Sequence, residues 1–286
     1  MHLPLIPLIG FPSVKTQYPG RLGNKLFQYC FGRIIADALQ FNFDAEHVPG
    51  FSHATSLRRL CLPSIGLKEE VLNGHKVDVE KVVANRKKRI IRLLGHFQRY
   101  EYYRKHKEKI RSWLSVPTSN IPGTEDLVIH IRSGDLWQVN RSNPPNEGQL
   151  PLPFSFYKQI IEQRVWEKIY IITEMQKDPM VQKLAASYSA LVQSKSEIED
   201  FCFLASGHNI VLSVSTFAWW ASWLSRAKQI FFPLAGFWNP DYRVHYGKNP
   251  EMDLIVDDEP RYEFINVTSE GNWRGTEQDR QRLLNT

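Results

Sequence analysis

Cysteine is scarce in this chain: Cys30, Cys61 and Cys202 are three residues in 286, widely scattered and each in an apolar context. That excludes a disulfide framework and a cysteine-based zinc site, and makes a small core residue the reading for each, with a reducing compartment as the default. Long apolar runs are missing as well. Met1 to Phe11 is apolar but is broken by Pro4 and Pro7, and it has no basic leader region. It is far short of the ~20 residues a bilayer-spanning helix needs, so the expectation is a soluble protein with at most peripheral membrane contact. The turn Gly20-Arg21-Leu22-Gly23-Asn24-Lys25 does not have the G-x-G-x-x-G spacing of a dinucleotide loop. No nucleic-acid-reading module accompanies the basic runs Arg86 to Arg89 and Arg104 to Arg111, although Tyr100, Tyr102 and Tyr103 lie between them. Both runs read as solvated helix faces, with weak attraction to anionic lipid as the other option, and nucleic acid is not expected as a partner.

What is present argues for a large folded α/β protein. Hydrophobic residues make up 42% and aromatics 12%, enough for a packed core. A chain of 286 residues holds one large domain or two of ~100–150 residues. The net charge of +6 favours anionic partners such as nucleotides, phosphates or membrane surfaces without choosing among them.

Val14 to Tyr18 reads as a strand leading into the glycine turn. The helical run that follows places Leu26, Phe27, Cys30, Phe31, Ile34, Ile35, Ala38 and Leu39 on one face. Asp44 to Ser64 reads as loop and Glu69 to His75 as turn. Ser115 to Glu125, with Pro117, Pro122 and Gly123, is the best linker, and the domain boundary falls there: 1–120 and 121–286. The last helix is expected to return to the first domain.

Beyond the linker, strands and helices alternate. Strands are predicted at Leu127 to Ile131, Ile169 to Thr173, Ala190 to Gln193, Ile210 to Leu212 and Gln229 to Phe232. Helices are predicted at Phe154 to Arg164, Val181 to Ser187, Glu197 to Ser206 and after Ser215. This rhythm implies parallel βαβ units with strands buried on both faces. In such sheets ligands sit beyond the carboxyl ends of the strands, where His130, Arg132, Glu174, Ser215 and Thr216 all fall. The Pro/Gly-rich stretch from Trp137 to Leu150 reads as a long loop able to cover a site.

Each candidate has an ordinary reading beside the functional one. His130 alternates with Ile129 and Ile131 as a core histidine would. Arg132 could pair with Asp135 or present its donors to a phosphate. Asp200 at a helix start balances a dipole. The acidic run Asp253, Asp257, Asp258 and Glu259 reads as a solvated turn. Asn266-Val267-Thr268 is a glycosylation sequon without consequence in a chain lacking a secretion signal.

Three stretches together carry a resemblance: G-R-L-G-N-K-L-F-Q-Y at 20–29, H-I-R-S-G-D at 130–135 and E-D-F-C-F-L-A-S-G-H-N-I-V-L-S-V-S-T-F-A-W-W-A-S-W-L at 199–224. In order and spacing they resemble the α-1,2-fucosyltransferases of glycosyltransferase family 11. Arg21, Lys25, Ser133 and Leu136 depart from that family's usual residues.

The resemblance implies a GT-B-like enzyme with two Rossmann-like domains and parallel sheets. It would transfer L-fucose from GDP-fucose to O2 of a β-linked galactose, inverting the anomeric centre, with neither metal nor cofactor. It further implies Arg132 on the β-phosphate, His130 at the guanine, Asp200 accepting from guanine, and Ser215, Thr216 and Phe217 lining the phosphate and base pocket. Gly23 and Asn24 would close over the donor. Asp135 is the candidate base, with Glu174 as another. A bacterial-type cytoplasmic enzyme is expected. A relative using another nucleotide sugar, or a non-catalytic nucleotide- or glycan-binding protein, stands as the alternative.

Overall fold

The computed structural model describes residues 11–17, 20–52, 66–114, 121–132, 136, 151–246, 251–267 and 275–286. Cys61, residues 133–135 and residues 137–150, where the sequence predicts a covering loop, lie outside the described residues. The chain divides after Ser115 into two compact units, each with a wholly parallel sheet.

The first unit runs β1 (Ser13–Thr16), α1 (Leu22–Leu39), β2 (Asn42–Asp44), β3 (Glu69–Leu72), α2 (Val79–Ala84), β4 (Ile90–Leu93) and α3 (Lys107–Arg111), with two 3-10 turns before α3. Its strand order is β2-β1-β4-β3. Helix α1 starts four residues before the predicted apolar run, because Leu22 is already buried one turn before Leu26. Gly23 and Asn24 therefore lie in the first helical turn rather than in a loop. The helix ends where Gln40 takes a left-handed conformation (φ 57°) and its N–H bonds the carbonyls of Ala36 and Asp37. Phe31 stacks on Phe97 at 4.3 Å, and the buried Tyr103 hydroxyl lies 2.7 Å from the Phe97 carbonyl and 3.1 Å from that of Phe27.

Two predictions fail here for the same reason. Glu69 to His75 is not a turn, since Glu69–Leu72 is β3. The run Arg86 to Arg89 is not a helix face, since α2 stops at Ala84 and the run leads into β4. Charged residues paired across neighbouring strands conceal both elements. Glu69 holds Arg92 at 2.7 Å, and Glu70 holds Arg89. Arg89 is 5% exposed and also donates to the carbonyls of Val82, Asn85 and Lys87.

The second unit runs β5 (Leu127–Ile131), α4 (Phe154–Ile161), β6 (Ile169–Thr173), α5 (Pro179–Tyr188), β7 (Leu191–Gln193), α6 (Glu197–Ala205), β8 (Asn209–Val211), α7 (Thr216–Leu224), β9 (Gln229–Leu234), α8 (Pro240–Tyr246), β10 (Tyr262–Asn266) and α9 (Glu277–Asn285). Its strand order is β10-β9-β8-β5-β6-β7. All five residues of β5 are buried, as a strand covered on both faces requires.

Helix α7 is the heaviest core element. Trp219, Trp220 and Trp223 are fully buried and pack on one another at 5.1–5.5 Å. Burying an indole N–H needs an acceptor. Trp219 donates to the Leu254 carbonyl at 2.8 Å and Trp223 to Glu259 at 3.1 Å. Glu259 also bonds Arg261 at 2.6 Å, so the acidic run is a solvated turn only in part. Strand β10 follows it, unpredicted. The last helix, α9, sends Leu283 into the core of the second unit shared by Phe156, Tyr157, Val181 and Leu184.

Candidate functional site

The order of the second sheet defines one crevice. From β5 the chain moves outward to β6 and β7, then returns to the other side of β5 for β8, β9 and β10. The connections leaving β5 and β8 therefore diverge, opening a gap at the carboxyl ends of these two neighbours. His130 and Arg132 come from β5 and its end; Ser213, Ser215, Thr216 and Phe217 come from the turn after β8 and the start of α7.

His130 Nδ1 lies 2.7 Å from Ser213 Oγ, joining the two strand ends. Both residues are buried, at 7% and 2% exposed. Burial first, and the charge of Arg132 second, push the imidazole down to about 3, so it is neutral at physiological pH. The Phe217 ring packs 5.3 Å from the His130 ring, and Phe201 meets Phe217 edge-on at 5.3 Å. Phe217 itself is half-buried, and so is Arg132 at the end of β5.

The helix that starts in this gap differs from most of its neighbours. Asp178 caps α5 by accepting from Met180 and Val181; Ser196 and Glu199 form a capping box on α6; Thr276 and Asp279 do the same on α9. Helix α7 begins after Ser215 in extended conformation, with no side-chain cap bond and no acidic residue in its first turn. Its leading N–H groups and positive dipole end thus lie at the crevice with no acidic residue in the helix's own first turn. Together with the Arg132 guanidinium, this suits a phosphate.

Asp200 is 7% exposed and is held by Gln193 Nε2 and the Lys195 backbone N–H, both at 3.0 Å. Burial raises its pKa above the usual carboxylate range, against the lowering effect of these two bonds. A carboxylate has about four acceptor positions, so two donors leave capacity for a further one. Glu174 is exposed just after β6, where the Met175 N–H bonds the Thr173 hydroxyl at 3.1 Å. Asp135 lies outside the described residues. Ser213 is one of the hydroxyls that follow the apolar run of β8, whereas Gln193 and Lys195 escaped the sequence reading and had no signal there.

In the first unit β1 and β4 are neighbours, and the Gly20–Asn24 turn follows the carboxyl end of β1. Gly20 takes φ +89°, and a Cβ there would come 2.8 Å from Asn24 Nδ2, so this turn requires glycine. Asn24 Oδ1 accepts from Gln98 Nε2 at 2.9 Å, which ties the start of α1 to the segment after β4. Gly95 is pressed against Gly74, whose carbonyl oxygen would lie 2.1 Å from any Cβ.

No helix among the described residues is long and apolar enough to cross a membrane, and no group of three or more His, Cys, Asp or Glu residues among them could hold a metal ion.

Residues 158–245 match the model of glycosyl transferase family 11. That segment holds the last of the three motifs, with Glu174, Asp200, Ser215, Thr216 and Phe217. His130, Arg132, Gly23 and Asn24 lie outside it. Among solved structures, the chain is similar to an arginine-to-lysine variant of FUT1 from Arabidopsis thaliana in complex with GDP, at 11% identity and a TM-score of 0.46, over 80% of this chain and 72% of that one. It is similar to POFUT1 in complex with GDP at 9% identity and a TM-score of 0.45, over 74% and 95% of the two chains. POFUT1 in complex with GDP-fucose matches at 9% identity and a TM-score of 0.43, over 91% and 98%. No curated protein sequence matches the chain.

Proposed function

We propose, from a segment that matches glycosyltransferase family 11, that this protein transfers L-fucose from GDP-fucose to O2 of a β-linked galactose, inverting the anomeric centre without a metal ion. The observation that carries the reading is the β5/β8 crevice, where Arg132 follows β5 and the start of α7, without a side-chain cap bond, carries the half-buried ring of Phe217. The cation and the helix N–H groups suit a diphosphate, and the exposed part of Phe217 suits a nucleobase. His130 backs Phe217 and Ser213 as a positioning residue, and Asp200 supplies the remaining acceptor capacity to the guanine. Gly23 and Asn24 of the first unit are proposed as further donor-binding residues.

In the reaction, galactose O2 attacks C1 of fucose as the bond from C1 to the β-phosphate oxygen breaks. The bonding pair leaves with GDP, and the O2 proton passes to Asp135, or to Glu174 in its place. Arg132 and the first N–H groups of α7 stabilise the negative charge gathering on GDP, the work a divalent cation does in other transferases. The acceptor is a soluble or lipid-linked β-galactoside in a bacterial-type cytoplasm.

Calorimetric titration with GDP, UDP and CMP in the presence of EDTA tests the reading. Selective binding of GDP, lost in Arg132→Ala, supports it, and GDP-fucose with lactose then assays the transfer. Arg132→Ala should lower turnover by ~10²-fold or more. Preference for another nucleotide would assign a different donor, and GDP binding without transfer to any galactoside would assign a binding protein. Near-normal turnover of Asp135→Asn would remove that residue as base.

A further inference from the structure

The basic residues of the first unit, separate in sequence, gather at one pole of its sheet. Helix α1 leaves the carboxyl end of β1 and returns to the amino end of β2, so its last turn lies at the amino pole. The register, with Ser13 opposite both Asn42 and Ile90, brings the amino ends of three strands together there. Arg86 Nη1 donates to the Ala38 carbonyl at 2.7 Å, and Lys109 Nζ lies 2.7 Å from Asp37 Oδ2, so both basic runs are fastened to that same turn. The Lys68 carbonyl accepts from the Ile90 N–H at 2.9 Å, which adds a third basic residue from a different segment.

Lys68, Arg86, Lys87, Lys88 and Lys105 are exposed. The acids at this pole are engaged: Asp37 by Lys109, Glu69 by Arg92 and Glu70 by Arg89. Lys87, Lys88 and Lys105 form no ion pair among the described residues. A positive surface therefore remains, at the end of the sheet opposite the Gly20–Asn24 turn.

Two kinds of polyanion could meet such a surface. Single-stranded nucleic acid needs aromatic faces on which bases stack. The tyrosines next to these basic residues are committed elsewhere. Tyr100 and Tyr103 are buried, and Tyr102 packs on Phe31 with its hydroxyl bonded to the Val77 N–H. What is left is mostly lysine, a point charge on a flexible stem, which suits headgroup phosphates without fixed positions.

We infer that the amino pole of the first unit docks on an anionic lipid bilayer through Lys68, Arg86, Lys87, Lys88 and Lys105. Docked this way, the unit turns its carboxyl pole, with Asn24 and Gln98, away from the lipid. The inference stands independently of any assignment of donor or acceptor.

Vesicle flotation of the full chain tests it, with phosphatidylcholine alone and with about one third phosphatidylglycerol, at ~0.15 M and ~1 M salt. Binding is expected on the anionic vesicles only, and is expected to vanish at high salt. The triple variant Lys68→Ala, Lys87→Ala, Lys88→Ala spares Arg86 and Lys109, which hold α1. It should weaken binding by ~10²-fold while leaving the melting temperature and GDP affinity unchanged. The charge-conserving variant Lys68→Arg, Lys87→Arg, Lys88→Arg should bind as the parent does. Equal binding to neutral vesicles, retention by the alanine variant, or binding to a short single-stranded DNA without binding to anionic vesicles would each overturn the inference.

Discussion

His130 and Ser213 stand 2.7 Å apart across the boundary of β5 and β8, and their bond closes the floor of the crevice in the second unit. Neither group has water to turn to if the other is removed. Ser213→Ala should therefore cost ~1–3 kcal/mol, the penalty for a buried polar group left without its partner. Urea unfolding at pH 7 measures this. Nucleotide affinity should fall as well, because the His130 ring also backs Phe217 at 5.3 Å. An unchanged urea midpoint would show the bond to be idle.

The same imidazole makes the protein sensitive to acid. Its folded value is about 3, whereas an unfolded histidine titrates near ~6.5. As the pH falls through this interval the unfolded chain takes up a proton that the folded chain refuses, so stability declines. Below the folded value the loss stops growing. At pH 5 the cost is about 2 kcal/mol. His130→Gln should lose this share of the pH dependence, seen by comparing urea midpoints at pH 7 and pH 5 for both proteins. Parallel pH profiles would count against a neutral buried His130.

Arg89 should be among the least replaceable residues of the first unit. Its guanidinium bonds Glu70 and three backbone carbonyls while only 5% of the residue is exposed. Arg89→Ala strands those carbonyls and should destabilise the protein by at least ~1–3 kcal/mol. Lys87→Ala, two positions away and exposed, should change stability by less than ~0.5 kcal/mol. Thermal denaturation of the two variants side by side makes the comparison.

That contrast also shows what the sequence could reveal. Strands β5, β6 and β8 were legible because both of their faces are buried, which turns them into unbroken apolar runs, and helix α7 was legible from its aromatic spacing. Strand β3 was not, because Glu69 and Glu70 satisfy their charges on the neighbouring strand, a relationship visible only once the chain is folded. The same blindness made Arg89 look solvated. The crevice was legible as a set of strand ends, since Ser215, Thr216 and Arg132 follow apolar runs directly. Its supports were not: Gln193 and the Lys195 N–H reach Asp200 from the end of the neighbouring strand β7, and nothing in their spacing announces it.

In the first unit, Gln98 donates to Asn24 Oδ1 over a separation of 74 residues, and Gly20 leaves the room Asn24 needs. If Asn24 meets the donor sugar or diphosphate, Gln98 acts through it and holds the amide in orientation. Asn24→Ala should then lower kcat/KM by at least ~10-fold, the effect of losing ~1.4 kcal/mol at the transition state. Gln98→Ala should lower it less, and the double variant should resemble Asn24→Ala alone, because the two changes remove one arrangement. Melting temperatures of the three variants separate this from plain unfolding. Strictly additive losses would mean that Gln98 contacts the substrate on its own account.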